Sequence, residues 1–450
     1  MKDKNIAIIL AAGKGSRMNS TLPKPFHEVA GRPIINHILD NLNSAGFKET
    51  IIVINKEHSS FFRDLKSKGM SINIAFQEHQ LGTGDAVKSG LADYDLSGVD
   101  NVLVVFGDTP MLSNETFEKL ISSNIQNNLT VLGFTTSDPG RYGRLITKDQ
   151  SLLKIVEALD ANDDQKKITL CNGGVMIVKA KNLKENLSLL TDNNAKKELI
   201  LSDLVEITNN IGGKSSYLDC NYEETLGVDT KKGLSKAEKI FQNKLRDTFL
   251  DNGTTMLDPD TVFFSWDTSV GKDVAIGANV VFGKNVVIED NVKIHSFCSI
   301  ESSIIREGAS IGPFGRLRNN AEIGQDSKIG NFVEVKNSSL KKGVKASHLS
   351  YIGDAEIDDD TNIGAGTITC NYDGVDKHKT LIGKRAFIGS NSSLIAPIKI
   401  GDGANVAAGS SISKDVEPGS LAITRSPIKF ISNWSKKLKK SNNEEEKCAE

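Results

Sequence analysis

The chain has 450 residues, more than one hydrophobic core usually organises, so two or more domains are expected. With 38% hydrophobic residues, 25% charged residues and a formal net charge of -2, it lacks the long-range field that draws nucleic acid or an anionic membrane, which excludes polyanion binding as its main role. Cys171, Cys220, Cys298, Cys370 and Cys448 are scattered, odd in number and without a C-x-x-C pair, which argues against a disulfide framework or structural zinc and fits a reducing cytoplasm.

The N-terminus "MKDKNIAIIL" has too short an apolar run for a signal peptide, and no segment reaches the about 18 apolar residues of a membrane span, so a soluble, unexported protein with no membrane insertion is expected. Up to about residue 228, the apolar runs "NIAIIL", "ETIIVIN", "NVLVVFGD" and "NGGVMIV" alternate with polar, helix-compatible stretches. That rhythm predicts an α/β domain over 1–228 with a mostly parallel sheet, whose ligands bind at the carboxyl ends of the strands. Over 229–252, Leu234, Ala237, Phe241, Leu245 and Phe249 recur every three or four residues before Asn252-Gly253, which predicts one linker helix.

From 253 to 428 the period becomes six. Val270, Ile276, Phe282, Ile288, Ile294 and Ile300 form one series, Ile311, Leu317, Ile323, Ile329 and Val335 a second, and Ile382, Ile388, Leu394, Ile400, Val406 and Ile412 a third. Gly follows the aliphatic or aromatic position at Ile276, Phe282, Ile311, Ile323, Ile329 and Ile382. Neither a helix nor strand alternation has this period, whereas a parallel β-helix with one short strand and one turn per hexapeptide does. Coils of about 18 residues stacked about 4.8 Å apart would build a rod of about nine coils, roughly 40 Å long. Between Thr369 and Leu381 the repeat is broken by "CNYDGVDKHKT", which must loop out of the prism, and such loops collect binding groups. The tail over 429–450, with blocks of like charge and few apolar residues, is expected to be disordered.

Three segments of the first half carry chemistry. "LAAGKGSRM", Leu10 to Met18, lacks the Walker A spacing and does not finish as G-x-G-x-x-G. It offers a strand end, amides freed by Gly13 and Gly15, and Lys14, Arg17 and Lys24 as counter-charges, which suits phosphate; a structural glycine turn would explain the glycines alone. "VLVVFGDTP" puts Asp108 at a strand mouth, as a turn or cap residue or as a metal ligand with Asp229 as a second carboxylate. "QEHQLGTGDAV" places Gln77, Gly82 and Gly84 where amides could read a base edge, or where a plain βα turn would do. Gly143 in "RYGRL", Glu157 in "IVEALDA" and Asn172 in "CNGG" admit the same two readings.

The ordered set L-x(2)-G-x-G-x-R-M, P-K, Q-L-G-T-G, G-D, Y-G-R, V-E-x(2)-D-A and N-x-G resembles the sugar-nucleotide pyrophosphorylases. Together with the hexapeptide half it resembles, over about residues 5–428, the bifunctional family that joins N-acetylglucosamine-1-phosphate uridyltransferase to glucosamine-1-phosphate N-acetyltransferase. The resemblance implies a Rossmann-like nucleotidyltransferase domain, a left-handed β-helix and magnesium-assisted transfer of uridylyl from UTP to N-acetylglucosamine 1-phosphate. The product of such enzymes feeds peptidoglycan and lipopolysaccharide precursors. Carried over, Leu10, Ala11, Ala12 and Gly13 contact the uridine nucleotide, and Arg17 and Lys24 act on the triphosphate. Gln77, Gly82 and Thr83 read uracil; Phe106, Gly107 and Asp108 line the site; Gly143, Glu157 and Asn172 hold the sugar; Asp108 and Asp229 hold the metal. Phe106, Leu159, Gly173 and Asp229 depart from the family, where Tyr, Lys, Thr and Asn are common; Leu159 removes a cation from the sugar's edge.

In the second half His348, in "KASHLSYIGDAEI", could be a surface histidine, but acetyl transfer to an amine needs a base that titrates near neutrality. The resemblance makes His348 that base, with Arg318, Lys336 and Lys377 on the phosphate of glucosamine 1-phosphate and Tyr351 and Asn362 on its sugar. It assigns acetyl-CoA to Ala365, Asn371, Tyr372, Ser390, Ala408 and Arg425, and implies a homotrimer with sites between neighbouring rods. Two other readings remain at this point: a single-activity pyrophosphorylase whose β-helix only assembles or regulates it, and a non-catalytic scaffold or nucleotide sensor. His348 with the Asn371-Tyr372 loop speaks against the first, and the presence of Arg17, Lys24 and Asp108 against the second.

Overall fold

The computed structural model describes residues 4–149 and 151–435, so most of the expected disordered tail lies outside the described residues. The chain forms two units, residues 1–248 with 264–266, and residues 249–263 with 267–450.

The first unit is built on a nine-stranded sheet. Seven strands, β1 Asn5–Ala11, β2 Glu49–Ile54, β3 Ser71–Phe76, β4 Asn101–Phe106, β5 Leu129–Thr135, β6 Leu170–Lys179 and β7 Ser215–Asp219, lie in the order β7-β5-β6-β4-β1-β2-β3. All neighbours on this path are parallel except β6, which runs against both β4 and β5. A hairpin of Arg144–Lys148 and Ser151–Val156 joins at β6.

Alternation along β1 explains why the run is apolar throughout. Ile6, Ile8 and Leu10 enter one buried cluster with Ala86, Val87 and Leu91 of helix α2 (Thr83–Leu91). Ala7, Ile9 and Ala11 enter the opposite cluster with Ile34, Ile35, Ile38, Leu39 and Leu42 of helix α1 (Ile34–Ser44). A strand covered by helices on both faces needs apolar residues at every position. A long helix, Lys231–Asp251, follows, and Gln242 on it exchanges hydrogen bonds with the backbone of Phe264. The Arg32 guanidinium lies 3.8 Å above the centre of the Trp266 ring, a cation–π contact.

The second unit is the hexapeptide rod, a left-handed β-helix whose short strands form three all-parallel faces of ten, nine and eight strands. On the first face Ile276, Ile294, Ile311, Ile329, Ala346, Ile363, Ile388, Val406 and Ala422 pair in one column. Of the three six-residue series, every member is buried except Val270, which is only half-buried in an early coil. Asn279, Asn285, Asn291, Asp326 and Asp360 turn corners with φ between 56° and 60°, a left-handed conformation that Asn and Asp tolerate.

Four successive coils depart from that rule at the corner between the first and second faces. Phe297, Phe314, Phe332 and Leu349 occupy its left-handed positions in successive coils. The three rings stack at 4.9 and 5.0 Å, with interplanar angles of 5° and 16°. Stacking worth about 0.5–1.5 kcal/mol per pair offsets part of the roughly 1–2 kcal/mol that each left-handed residue costs.

Candidate functional site

At the carboxyl end of β1, Leu10, Ala11 and Ala12 are buried, and Gly13 has open space where a Cβ would stand, so a ligand can approach its amide closely. Gly107 N donates to Leu10 O at 2.9 Å, which ties the end of β4 to that of β1. Val228 N donates to Asp108 O at 2.8 Å, and this one backbone bond carries Asp229 from far along the chain to the side of Asp108. Lys24 then sits between the two carboxylates, 2.9 Å from Asp108 Oδ2 and 2.6 Å from Asp229 Oδ1, while Arg17 lies 3.0 Å from Asp229 Oδ2. Burial opposes the charge of Lys24, but Asp108 and Asp229 outweigh it and hold the ammonium above its ordinary pKa.

The expected metal can be tested on this geometry. Two carboxylates already converge on one cation, and a magnesium ion takes one or two protein carboxylates with the rest of its shell from phosphate and water. Asp108 and Asp229 supply the two carboxylates of such a partial shell. The donor set fits. The Asp229 carboxylate pairs with both Arg17 and Lys24.

Gln77 is buried, and its amide nitrogen donates to Gly82 O at 3.0 Å and Asp85 Oδ2 at 2.8 Å. Both hydrogens are thus used internally and the carbonyl oxygen remains as an acceptor. Gly82 has φ +119°, and a Cβ there would come within 2.5 Å of Leu199 O, so only glycine fits. Thr83 Oγ1 accepts from Leu201 N at 3.0 Å. Gln80 was missed in the sequence; its amide donates to Ala12 O at 2.7 Å and braces the loop against the end of β1.

Gly143, Glu157 and Asn172 come together. Asn172 N donates to Gly143 O at 2.8 Å, and a Cβ on Gly143 would meet Glu157 Oε1 at 3.3 Å. Phe106 lies beside them, against Gly174. Buried Arg144 secures this turn by donating to the carbonyls of Gly140 and Tyr142. Two residues with no sequence signal bear on Glu157: Ser202 donates to its Oε1 at 2.9 Å, and Asp203, which its charge repels, is pushed up to about 6 by burial, reinforced by Glu157, Glu206 and Asp160. The departures have local consequences. A side chain on Gly173 would start 2.7 Å from Thr225 Cγ2 and 2.9 Å from Leu132 O, and Leu159 is 70% exposed.

On the rod the expected residues fall in three places. His348, Ala365, Ser390 and Ala408 form a column along the corner between the first and second faces, linked by Gly366 N to His348 O, Asn391 N to Ala365 O and Gly409 N to Ser390 O. Arg425 caps this column near Gly409. Arg318 and Lys336 pair directly on the second face. Tyr351, on the same face, is paired with Glu334 and covers Gly353. Arg318 is held by Glu334 at 2.6 Å.

At the far edge of that face Lys336 and Lys377 line a cleft of about 380 Å³ with Ser302, Asn319, Asn337 and Asp354. Asn371 opens the looped-out segment, where Tyr372 bridges to Lys377. Buried Asn371 and exposed Asn337 both donate to Asp354. Burial opposes ionisation of Asp354, but these amides and the charges of Lys336 and Lys377 outweigh it and hold the carboxyl below the usual range. Asn362 lies apart, on the first face, paired with Lys345 and Phe387. Asp354 was missed, although Asn337, Asp354 and Asn371 recur every 17 residues, one coil, and a search at that period would find them.

Comparison with known proteins agrees with both halves. Residues 7–172 match the MobA-like NTP transferase domain family, residues 267–302 the bacterial transferase hexapeptide family (six repeats) and residues 379–414 the hexapeptide repeat of succinyl-transferase. The chain is 42% identical over 445 residues to the bifunctional protein GlmU of Paramagnetospirillum magneticum, covering 97% of each chain. It is 46% identical over 418 residues to GlmU of a Ruegeria species, covering 93% of each, and 42% identical over 440 residues to GlmU of Zymomonas mobilis, covering 96% of this chain and 97% of the relative. Since these matches run through the nucleotidyltransferase unit and the rod alike, the chain belongs to the family of bifunctional GlmU proteins.

Proposed function

We propose that the chain makes UDP-N-acetylglucosamine in two steps, acetyl transfer from acetyl-CoA to glucosamine 1-phosphate on the rod and uridylyl transfer from UTP to N-acetylglucosamine 1-phosphate in the first unit. The observation that carries this reading is the presence, in one chain, of the Asp108–Lys24–Asp229–Arg17 constellation at adjacent strand ends and of the His348 column on the rod.

In uridylyl transfer a sugar-phosphate oxygen attacks the α-phosphorus in line and the bond to pyrophosphate breaks, with no covalent enzyme intermediate. Asp108 and Asp229 would hold magnesium, which when bound supplies neutralisation of phosphate charge. Lys24 and Arg17 exchange their carboxylate partners for the triphosphate, and the Gln77 carbonyl oxygen accepts from the imide N–H of uracil. Gly143, Glu157 and Asn172 position the sugar, so much of the rate enhancement comes from orientation and fixed charge.

In acetyl transfer the amine nitrogen forms its bond to the thioester carbon while its proton passes to His348. The C–S electron pair leaves on sulfur, which takes up that proton and departs as free thiol. Arg318, Lys336 and Lys377 bind the phosphate, Tyr351 and Asn362 the sugar, and Ala365, Asn371, Tyr372, Ser390, Ala408 and Arg425 acetyl-CoA. The face that carries Asn362 differs from that of Arg318, Lys336 and Tyr351, which supports a homotrimer in which a second copy completes each site. The four described cysteines are free, which suits a reducing cytoplasm.

The test supplies purified protein with glucosamine 1-phosphate, acetyl-CoA, UTP and magnesium, and follows free thiol and pyrophosphate. His348→Ala should abolish thiol release and spare uridylyl transfer to pre-acetylated sugar, and Asp108→Ala the reverse. Loss of both activities in either variant overturns the assignment of two independent sites. Co-assembled His348→Ala and Asn362→Ala chains should recover thiol release that neither has alone; no recovery overturns the shared site.

A further inference from the structure

We propose that Asn331 is a positioning residue for acetyl transfer, holding His348 in the tautomer whose Nε2 is free to accept a proton. The proposal rests on the reading of His348 as the base. Asn331 and His348 occupy the same corner position in successive coils, 17 residues apart, and the Asn331 side-chain oxygen lies 2.6 Å from His348 Nδ1. A neutral imidazole carries one hydrogen on its two nitrogens, and a carboxamide oxygen only accepts. Nδ1–H therefore donates to Asn331, and the Nε2 lone pair is left for the amine proton.

The backbone makes this contact rigid. Asn331 pairs with His348 in the parallel ladder, and Leu349 N donates to Asn331 O at 3.0 Å. Gly330 permits the close approach, because a Cβ there would overlap Ser347 O. On the other side Ser350 Oγ donates to His348 O at 2.9 Å, fixing the carbonyl and with it the base of the ring. A neutral amide orients the imidazole without adding a charge beside a reaction that must both take and return a proton. Asn331 touches no reacting atom; it acts through His348.

Two variants separate this role from a packing role: Asn331→Leu, close in shape but without an acceptor, and Asn331→Asp, which keeps one. Acetyl transfer is followed by free thiol, with uridylyl transfer in the same preparation as the control for folding. Asn331→Leu should lower kcat for acetyl transfer by about 10- to 100-fold, the usual cost of losing such a partner, with KM for both substrates within about twofold. Asn331→Asp should restore most of the loss. In 15N-histidine-labelled protein, the His348 signal, assigned by its absence from His348→Gln, should report an unprotonated Nε2 in the parent and a tautomer mixture in Asn331→Leu. Full kcat in Asn331→Leu, failure of Asn331→Asp to rescue, or an effect on KM alone overturns the positioning role. Acetyl transfer surviving in His348→Ala would remove the base itself and with it this proposal, whereas an inactive His348→Ala beside a fully active Asn331→Leu overturns the positioning role alone.

Discussion

The family resemblance implies threonine where this chain has Gly173, and the packing around Gly173 says what that side chain would do here. A Cβ at 173 would lie 2.7 Å from Thr225 Cγ2 and 2.9 Å from Leu132 O. Real Cβ contacts essentially never fall below 3.0 Å, so something must shift. Leu132 O belongs to β5, which is paired on both sides by β6 and β7 and resists displacement; Thr225 is buried and pinned by its hydroxyl, which donates to Tyr222 O at 2.9 Å. Overpacking of this kind costs about 1–3 kcal/mol, and at about 2–4 °C per kcal/mol for a unit of this size Gly173→Thr should lower its Tm by roughly 2–12 °C. Thr225→Ser removes the clashing methyl group and keeps the hydrogen bond, at a cost of its own of about 1 kcal/mol. The double variant should therefore be more stable than the sum of the singles by about 1 kcal/mol or more, read from urea unfolding of the four proteins. Strict additivity would refute the clash, as would a Gly173→Thr protein as stable as the parent.

Three further outcomes follow from the same geometry. The Asp203 carboxyl, at about 6 in the folded chain against 3.8 for the ordinary group, favours its protonated form, so its contribution is full below 3.8 and is lost as pH rises through 6. Asp203→Asn should therefore raise Tm relative to the parent at pH 7 and leave it unchanged near pH 4; a gain that is the same at both refutes this origin. Chelation of divalent ions should stop pyrophosphate release and leave thiol release intact, because neither the His348 column nor the Lys336–Lys377 cleft uses Asp108 or Asp229; equal loss of both would refute the separation. Ile329→Ala, in the fully buried column between Ile311 and Ala346, should cost about 2–5 kcal/mol by urea unfolding, and a loss below about 1 kcal/mol would mean that the prism collapses around the gap.

The rod was legible because a six-residue aliphatic period has few physical solutions, and Val270, the one member left half-buried, lies in an early coil with few neighbours. The corners were less legible. Ile276 pairs with Ile294 at a spacing of 18 residues, but Ile294 with Ile311 and Val335 with Ile352 at 17, because coils shorten at the corners. A strict period of 18 therefore misses Asn331 beside His348 and Asp354 beside Asn371. In the first unit the strand-end residues could be read in order, since each follows an apolar run. The reversed direction of β6 could not, because a strand buried on both faces carries the same apolar residues either way. Nor could the grip of Lys24 on Asp108 and Asp229, which depends on one backbone bond between residues 108 and 228.

Because each coil of the rod bonds only to the coils above and below it, its length and its chemistry are separable quantities. The column from Asn331 to Ala408 is set by local ladder contacts, and the coils around Ile276 and Ile294 contribute no residue to it. Removing one whole coil around Ile276, with both cut ends at the same corner, would shorten the rod by about 4.8 Å and leave the spacings of that column and of the Lys336–Lys377 cleft unchanged. Removing a single residue within a strand would instead turn one inward aliphatic toward water and one outward group toward the prism. Such an architecture tolerates change in whole coils or at a corner and resists it within a strand.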